Sequence, residues 1–263
     1  MPPSTFRVAV TQHEPVWLDL DATVTKTCTL IAAAAASKAT LIVFPECWIP
    51  GYPAWIWSRP VDFALGTKYV ENSLIIDSPH MRRIQDAAAT HGVNVGLGFS
   101  ERDGDSVYIA QALIDAKGEN EQIHIADWPP LDPFVQDSPG FWSMTAEGCR
   151  NLSQTYAAEA GAFVLHCTAV LTEAGIKAMS TAGSPIMGSP IQGSSAIIGP
   201  DGRLLKSADS GAEQLIIADL DMSMVTKTKT FADAGGHYSR PDMLWLGADP
   251  TTKPVVRISK NTA

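Results

Sequence analysis

Residues 39–46 read ATLIVFPE. The run from Ala39 to Phe44 is mostly apolar, is bounded by polar residues and Pro45, and suits a strand buried on both faces. Upstream, Phe6 to Thr11 (FRVAVT) alternates apolar and polar side chains and is rich in β-branched residues, which predicts another strand. Between them, Asp19 to Ser37 carries Leu20, Val24, Cys28, Ile31 and Ala35 at helical intervals, with Asp19 or Asp21 placed to cap. Strand, helix and strand in that order predict a βαβ unit and an α/β fold.

Outward from this unit, Cys47 to Pro60 is a loop rich in Pro, Gly and Trp. Ser78-Pro79 opens a helix over Asp77–His91, with a capping hydroxyl followed by proline. Val93–Ser100 and Ser106–Ile114 read as strands joined by the turn Arg102-Asp103-Gly104. Ile123–Trp128 (IHIADW) is strand-like, and Pro129–Gly140 is a proline-rich loop. Phe141–Ala160 is expected to be helical and Ala162–Val170 an apolar strand. Thr172–Gly193 reads as a loop. Ser195–Ile198 and Leu215–Leu220 are expected to form a last strand pair, joined partly through the turn Gly199-Pro200-Asp201-Gly202. The tail from Thr230 has no firm periodicity. No linker divides the chain, so residues 1–263 read as one domain.

Composition excludes several classes of function. The chain has 263 residues, 45% hydrophobic, with a net charge of −9 and scattered Lys and Arg, so a nucleic-acid partner is not expected. Leu30–Ala36, the longest small-apolar run, is far too short to span a bilayer. The start MPPSTFRVAV lacks a signal pattern, and a cytoplasmic location is expected. Cys28, Cys47, Cys149 and Cys167 are widely spaced, with no metal-ligand spacing, and read as reduced thiols. Asn151-Leu152-Ser153 is a chance glycosylation match. His13, His91 and His237 are isolated, and no metal or other cofactor is expected. His124 and Asp127 lie close together, but no Gly-x-Ser-x-Gly elbow supplies a serine partner. Gly96-Leu97-Gly98 is only a fragment of a nucleotide-binding pattern.

Phe44-Pro45-Glu46 at the end of a buried strand, followed by Pro50-Gly51-Tyr52-Pro53, resembles the nitrilase family of carbon–nitrogen hydrolases. The blocks FPECWIPGYPAWIW, VAVTQHEPVWLDL, YVENSLIIDSP, VNVGLGFSER, AEGCRNLSQTYA and FADAGGHYSRPD resemble fungal arylacetonitrilases in this order, over nearly the whole chain. The resemblance implies a four-layer α-β-β-α sandwich and hydrolysis of a small-molecule nitrile to carboxylic acid and ammonia. It also implies a homo-oligomer, and points to Glu46 as the general base. Tyr52, Trp55 and Trp128 would then stand near the pocket mouth. Cyanide hydration is a neighbouring activity, because cyanide-degrading relatives share the GYP and GGHYSRPD blocks.

The chemistry the family performs needs a thiolate, a carboxylate base and a lysine ammonium. The sequence offers no Cys-Trp-Glu nucleophile turn, and neither Lys68 nor Lys117 has the surroundings of the family's catalytic lysine. LIDAKGEN runs directly into EQIHIADWPP, a block that resembles family sequence beyond the nucleophile helix. The resemblance implies an internal deletion near Glu119-Asn120 of roughly fifty residues, more than any ordinary connection. The sandwich would then be incomplete by several strands and a helix. The chain as written would be impaired, or a silent splice or gene-model variant acting at most as an assembly subunit.

Overall fold

Thr5–Gln12 forms β1, Leu20–Ala36 α1 and Leu41–Val43 β2 in the computed structural model, which describes residues 5–114, 122–137, 140–233 and 242–243. The expected βαβ unit is present: β1 and β2 are parallel, with Val8 opposite Leu41 and Val10 opposite Val43. Asp19 caps α1, its side chain accepting from the Ala22 amide at 3.0 Å. This satisfies one of the amides a helix start leaves open. A 3-10 turn, Ala54–Trp57, interrupts the expected loop. Phe63–Asn72 (α2) was not anticipated: it is short, and Tyr69 is its one buried residue, so it shows little apolar stripe.

Ser78 caps α3 (Pro79–His91), and Gly92, with φ of 63°, closes it. The hairpin of β3 (Asn94–Asp103) and β4 (Ser106–Ile114) turns at Gly104-Asp105, slightly later than expected, because pairing continues to Asp103 opposite Ser106. β5 is Ile123–Trp128. Phe141–Ala160 is not one helix: Trp142–Met144 is a 3-10 turn, and Thr145 then caps α4 (Ala146–Ala160). β6 is Phe163–Thr168. The expected loop after it holds α5 (Glu173–Met179), capped by Thr172. β7 (Ala196–Ile198), β8 (Leu204–Ser207), β9 (Gln214–Asp221) and α6 (Ser223–Phe231) complete the described elements.

The strands form two mixed sheets, β4-β3-β2-β1-β9 and β5-β6-β7-β8. The expected pairing of Ser195–Ile198 with Leu215–Leu220 is corrected here. β7 lies between β6 and β8, whereas β9 runs antiparallel to β1 in the other sheet. Both segments face the same core, so alternation alone does not reveal which sheet each joins. Val8, Val10, Leu41 and Val43 of one sheet pack against Phe163, Leu165, Cys167 and Ile197 of the other. Each large apolar side chain buried there contributes about 1.5–3 kcal/mol. α1 and α3 cover the outer face of the first sheet through Val24, Ile31, Ile84 and Ala88. On the second sheet, Ala157 of α4 packs on Val164 and Ile198. No helix among the described residues is long and apolar enough to cross a membrane.

Candidate active site

Glu46 leaves the end of β2 on a tightly fixed turn. Phe44 donates to Gly96 O at 2.8 Å, and Trp48 donates to Gly98 O at 3.0 Å, so the turn hangs on β3. Cys47 adopts φ of 48° and goes inward, where it is buried beside Ser100 and Tyr69, while Glu46 stays half-buried. The two neighbours therefore diverge, and Cys47 packs in the interior instead of lining the space beside Glu46. Gly51 follows at φ of 103°, and a Cβ there would overlap the ring of Trp17; this close approach carries the chain round to Tyr52.

The second sheet supplies the opposite wall. Trp128 ends β5 and donates from Nε1 to Ser153 Oγ at 3.4 Å; Ser153 Oγ is in turn hydrogen-bonded to His166 Nδ1 at 2.9 Å. Asp127 points the other way, between the sheets. A Cβ on Gly98 would collide with its Oδ2 and with the carbonyl of Pro45, so this glycine lets Asp127 come close behind Glu46. The proline loop after Trp128 is tied down at Asp132, whose Oδ2 accepts from Met187 N at 2.9 Å and whose carbonyl accepts from Ala146 N at 3.0 Å.

Together these segments enclose a pocket of about 200 Å³. Glu46, Tyr52 and Trp128 all line it, with Trp57, Phe141 and Cys149. Trp55 does not. It is buried edge-on to Tyr69, with ring centroids 5.5 Å apart, because the 3-10 turn buries Ala54 and Trp55 and turns Trp57 to the pocket instead. His237 and Lys117 lie outside the described residues. Cys149, read from the sequence only as a reduced thiol, is buried but shares the pocket with Glu46.

Burial dominates the electrostatics. It pushes Glu46 up to about 7, and the charge of Asp127 adds to the rise. Burial also raises Asp127, against a hydrogen bond from Gln111. The Cys149 thiol is pushed up to about 11 by burial and by Glu46, and it donates weakly to Ser143 O at 3.4 Å. His166 is held down at about 3 by burial, so it supports Ser153 as a neutral ring. No Lys, Arg or His lines the pocket among the described residues. Among the described residues the arrangement offers a base of well-matched proton affinity and aromatic walls, and burial works against forming a thiolate at Cys149.

Sequence reasoning missed Asp127 as the neighbour of Glu46, yet a signal was present. Asp127 is in period-two register with Ile123 and Ile125, which pack toward the core, and a charge on that face asks for an explanation. Asp132, Met187 and the Ser153–His166 support left no comparable local trace.

The family model for carbon-nitrogen hydrolases matches residues 7–143 and 121–230, two stretches that share residues 121–143. An arylacetonitrilase from Hypocrea virens (strain Gv29-8 / FGSC 10586) is 45% identical over an alignment of 315 residues covering 98% of this chain and 95% of that protein. Because the chain has 263 residues, roughly fifty or more aligned positions have no counterpart in it. Among solved structures, a carbon-nitrogen hydrolase from Helicobacter pylori G27 superposes with a TM-score of 0.60 at 15% identity, covering 87% of this chain and 93% of that one. A double mutant of the amidase from Nesterenkonia sp. AN1 in complex with acrylamide superposes with a TM-score of 0.54, also at 15% identity, covering 86% and 95%. The fold and the sequence agree: the chain belongs to the carbon–nitrogen hydrolase family, and within it is similar to the fungal arylacetonitrilases.

Proposed function

We propose that this chain carries the substrate pocket of an arylacetonitrile-hydrolysing nitrilase without a working set of nitrile-hydrolysing groups. Hydrolysis through a covalent thioimidate needs a thiolate to attack the nitrile carbon, a carboxylate to manage the protons, and a cation to meet charge developing on nitrogen. Glu46 suits the base, since its affinity for a proton lies near neutrality. Tyr52 and Trp128, with Trp57, suit an aromatic nitrile. The single observation that carries the reading is the rest of the lining. Among the described residues Cys149 is its only thiol, with burial and Glu46 pushing its pKa up, and no lysine lines it.

The alignment gap and the two overlapping family matches support an internal deletion, which we place near Glu119-Asn120 of one nitrilase-type domain. β4 and β5 are edge strands that flank the undescribed residues 115–121. That placement supports a four-layer α-β-β-α sandwich short of several strands and a helix. A cytosolic homo-oligomer, or a silent subunit assembling with complete copies, is part of the same reading, favoured by those open edges. Cyanide hydration would need the same absent groups.

The experiment is ammonia release from phenylacetonitrile by the purified chain, beside Glu46→Gln and Cys149→Ala. No ammonia from a folded sample is the expected result. Turnover that disappears in Cys149→Ala would make Cys149 a working nucleophile and defeat this reading.

A further inference from the structure

We propose that the pocket at Glu46 binds a small aromatic amine in its ammonium form, an arylalkylammonium ion. The inference rests on the silent-pocket reading and deepens it by naming a ligand class for the same cavity. Its first support is charge. Glu46 and Asp132 line the pocket with no basic side chain among the described residues, and Asp127 lies behind Glu46. The carboxylate of Glu46 receives no hydrogen bond from any described residue. Among the described residues Asp132 has only the Met187 amide, at 2.9 Å. A desolvated carboxylate without a partner is costly, and a guest bringing its own cation removes that cost.

The second support is the shape and chemistry of the walls. Tyr52, Trp57, Trp128 and Phe141 surround the space. Aromatic faces attract an ammonium group and pack against a flat ring. The cavity is about 200 Å³, and one of about 150 Å³ suffices for benzene, so a single ring with a short amine arm fits. An arylacetate would bring a third negative charge beside Glu46 and Asp132. A neutral nitrile would gain the apolar contacts alone. The affinity order that follows is ammonium, then nitrile, then carboxylate.

The test is calorimetric titration with 2-phenylethylammonium, phenylacetonitrile and phenylacetate, at pH 6 and pH 8, on the parent chain, Glu46→Gln and Trp57→Ala. Among the described residues, the ionisable groups lining the site besides Glu46 are Asp132, Tyr52 and Cys149, with Asp127 behind Glu46. The amine should bind at least about tenfold more tightly than phenylacetate. It should also bind about tenfold more tightly at pH 8 than at pH 6, since below its pKa a competing proton weakens binding about tenfold per unit. Glu46→Gln should lose that preference and its pH dependence. Trp57→Ala should weaken the amine and the nitrile together. Equal binding of amine and carboxylate, or amine binding untouched in Glu46→Gln, would overturn the proposal. A nitrile that binds where the amine does not would sink this inference alone. Ammonia release from the nitrile would defeat the silent-pocket reading and leave amine binding standing.

Discussion

Glu46 and Asp127 come from different sheets, and the charge of Asp127 adds to burial in pushing Glu46 up to about 7. A cation would relieve both groups, but none lines the pocket among the described residues. The relationship links the fold to the chemistry: the turn after β2 and the inner face of β5 bring together two carboxylates that each sheet alone would leave in water.

Stability should therefore fall as pH rises through the neutral range. An acid whose folded pKa is raised holds its proton more tightly folded than unfolded. Its contribution is intact below about 4.5, the ordinary Glu value, and is lost as pH climbs through about 7. Partial exposure of Glu46 limits the effect to roughly 1–2 kcal/mol. Urea melts at pH 5.5 and pH 8 should show the loss, and Glu46→Gln should flatten it. A parent chain that is more stable at pH 8 would refute the assignment.

Ser153 joins Trp128 to His166, and its removal should cost more than one hydroxyl suggests. Ser153→Ala leaves Trp128 Nε1 and His166 Nδ1 without their partner, and His166 Nε2 already has none among the described residues. Leaving a buried polar atom unpaired costs about 1–3 kcal/mol. Thermal unfolding should register a loss of that order. Unchanged stability would mean that water replaces the hydroxyl freely.

Much of the fold was legible where its signals are local. Asp19 and the stripe from Leu20 to Ala35 marked α1, Ser78-Pro79 marked the start of α3, and Ile123–Trp128 gave β5 its limits. The elements missed, α2, α5, α6 and the strand β8, are short, so each carries too few residues to show a period. Sheet membership of β9 was hidden for another reason. Ile216 and Leu220 face the inter-sheet core, which both sheets share. At the site, a motif drew attention to Glu46, which lines the pocket, whereas Trp57 lines it in place of Trp55 because a 3-10 turn decides which tryptophan is buried.

Gly98 should not tolerate a side chain. A Cβ there would press on the carbonyl of Pro45 and the carboxylate of Asp127 at once, and the backbone contact has no flexible end to yield. Gly98→Ala should destabilise by about 1–3 kcal/mol, the usual cost of overpacking. It should also disturb the turn that holds Glu46. A variant as stable as the parent in a denaturant melt would argue that the sheets separate easily at this point.

The thiols should react in an order set by burial. Cys28 is the only partly exposed cysteine, whereas Cys47, Cys149 and Cys167 are buried. Burial raises all four, to about 11 for Cys47 and Cys149. Iodoacetamide at pH 7.5 should modify Cys28 first and the others only as the chain opens. Peptide mapping that finds Cys149 ahead of Cys28 would show an activated thiol in the pocket.

β4 should drive self-association. It is an edge strand whose nine residues, Ser106 to Ile114, include no charge and no proline. Ile109 is 73% exposed and Leu113 55%. Ala110, Ala112 and Ile114 pack toward α1 and α3, so Ile109 and Leu113 project on the opposite face, toward the second sheet. Among the described residues that sheet ends at β5 and leaves them exposed. An open edge of this composition offers its amides and carbonyls to another strand, with no charged side chain to turn the other strand away. Light scattering should therefore rise with protein concentration, and Ile109→Lys should suppress the rise while leaving the melting temperature within a few degrees. If Ile109→Lys scatters as strongly as the parent, association runs through another surface, and the open edge of β4 is already protected.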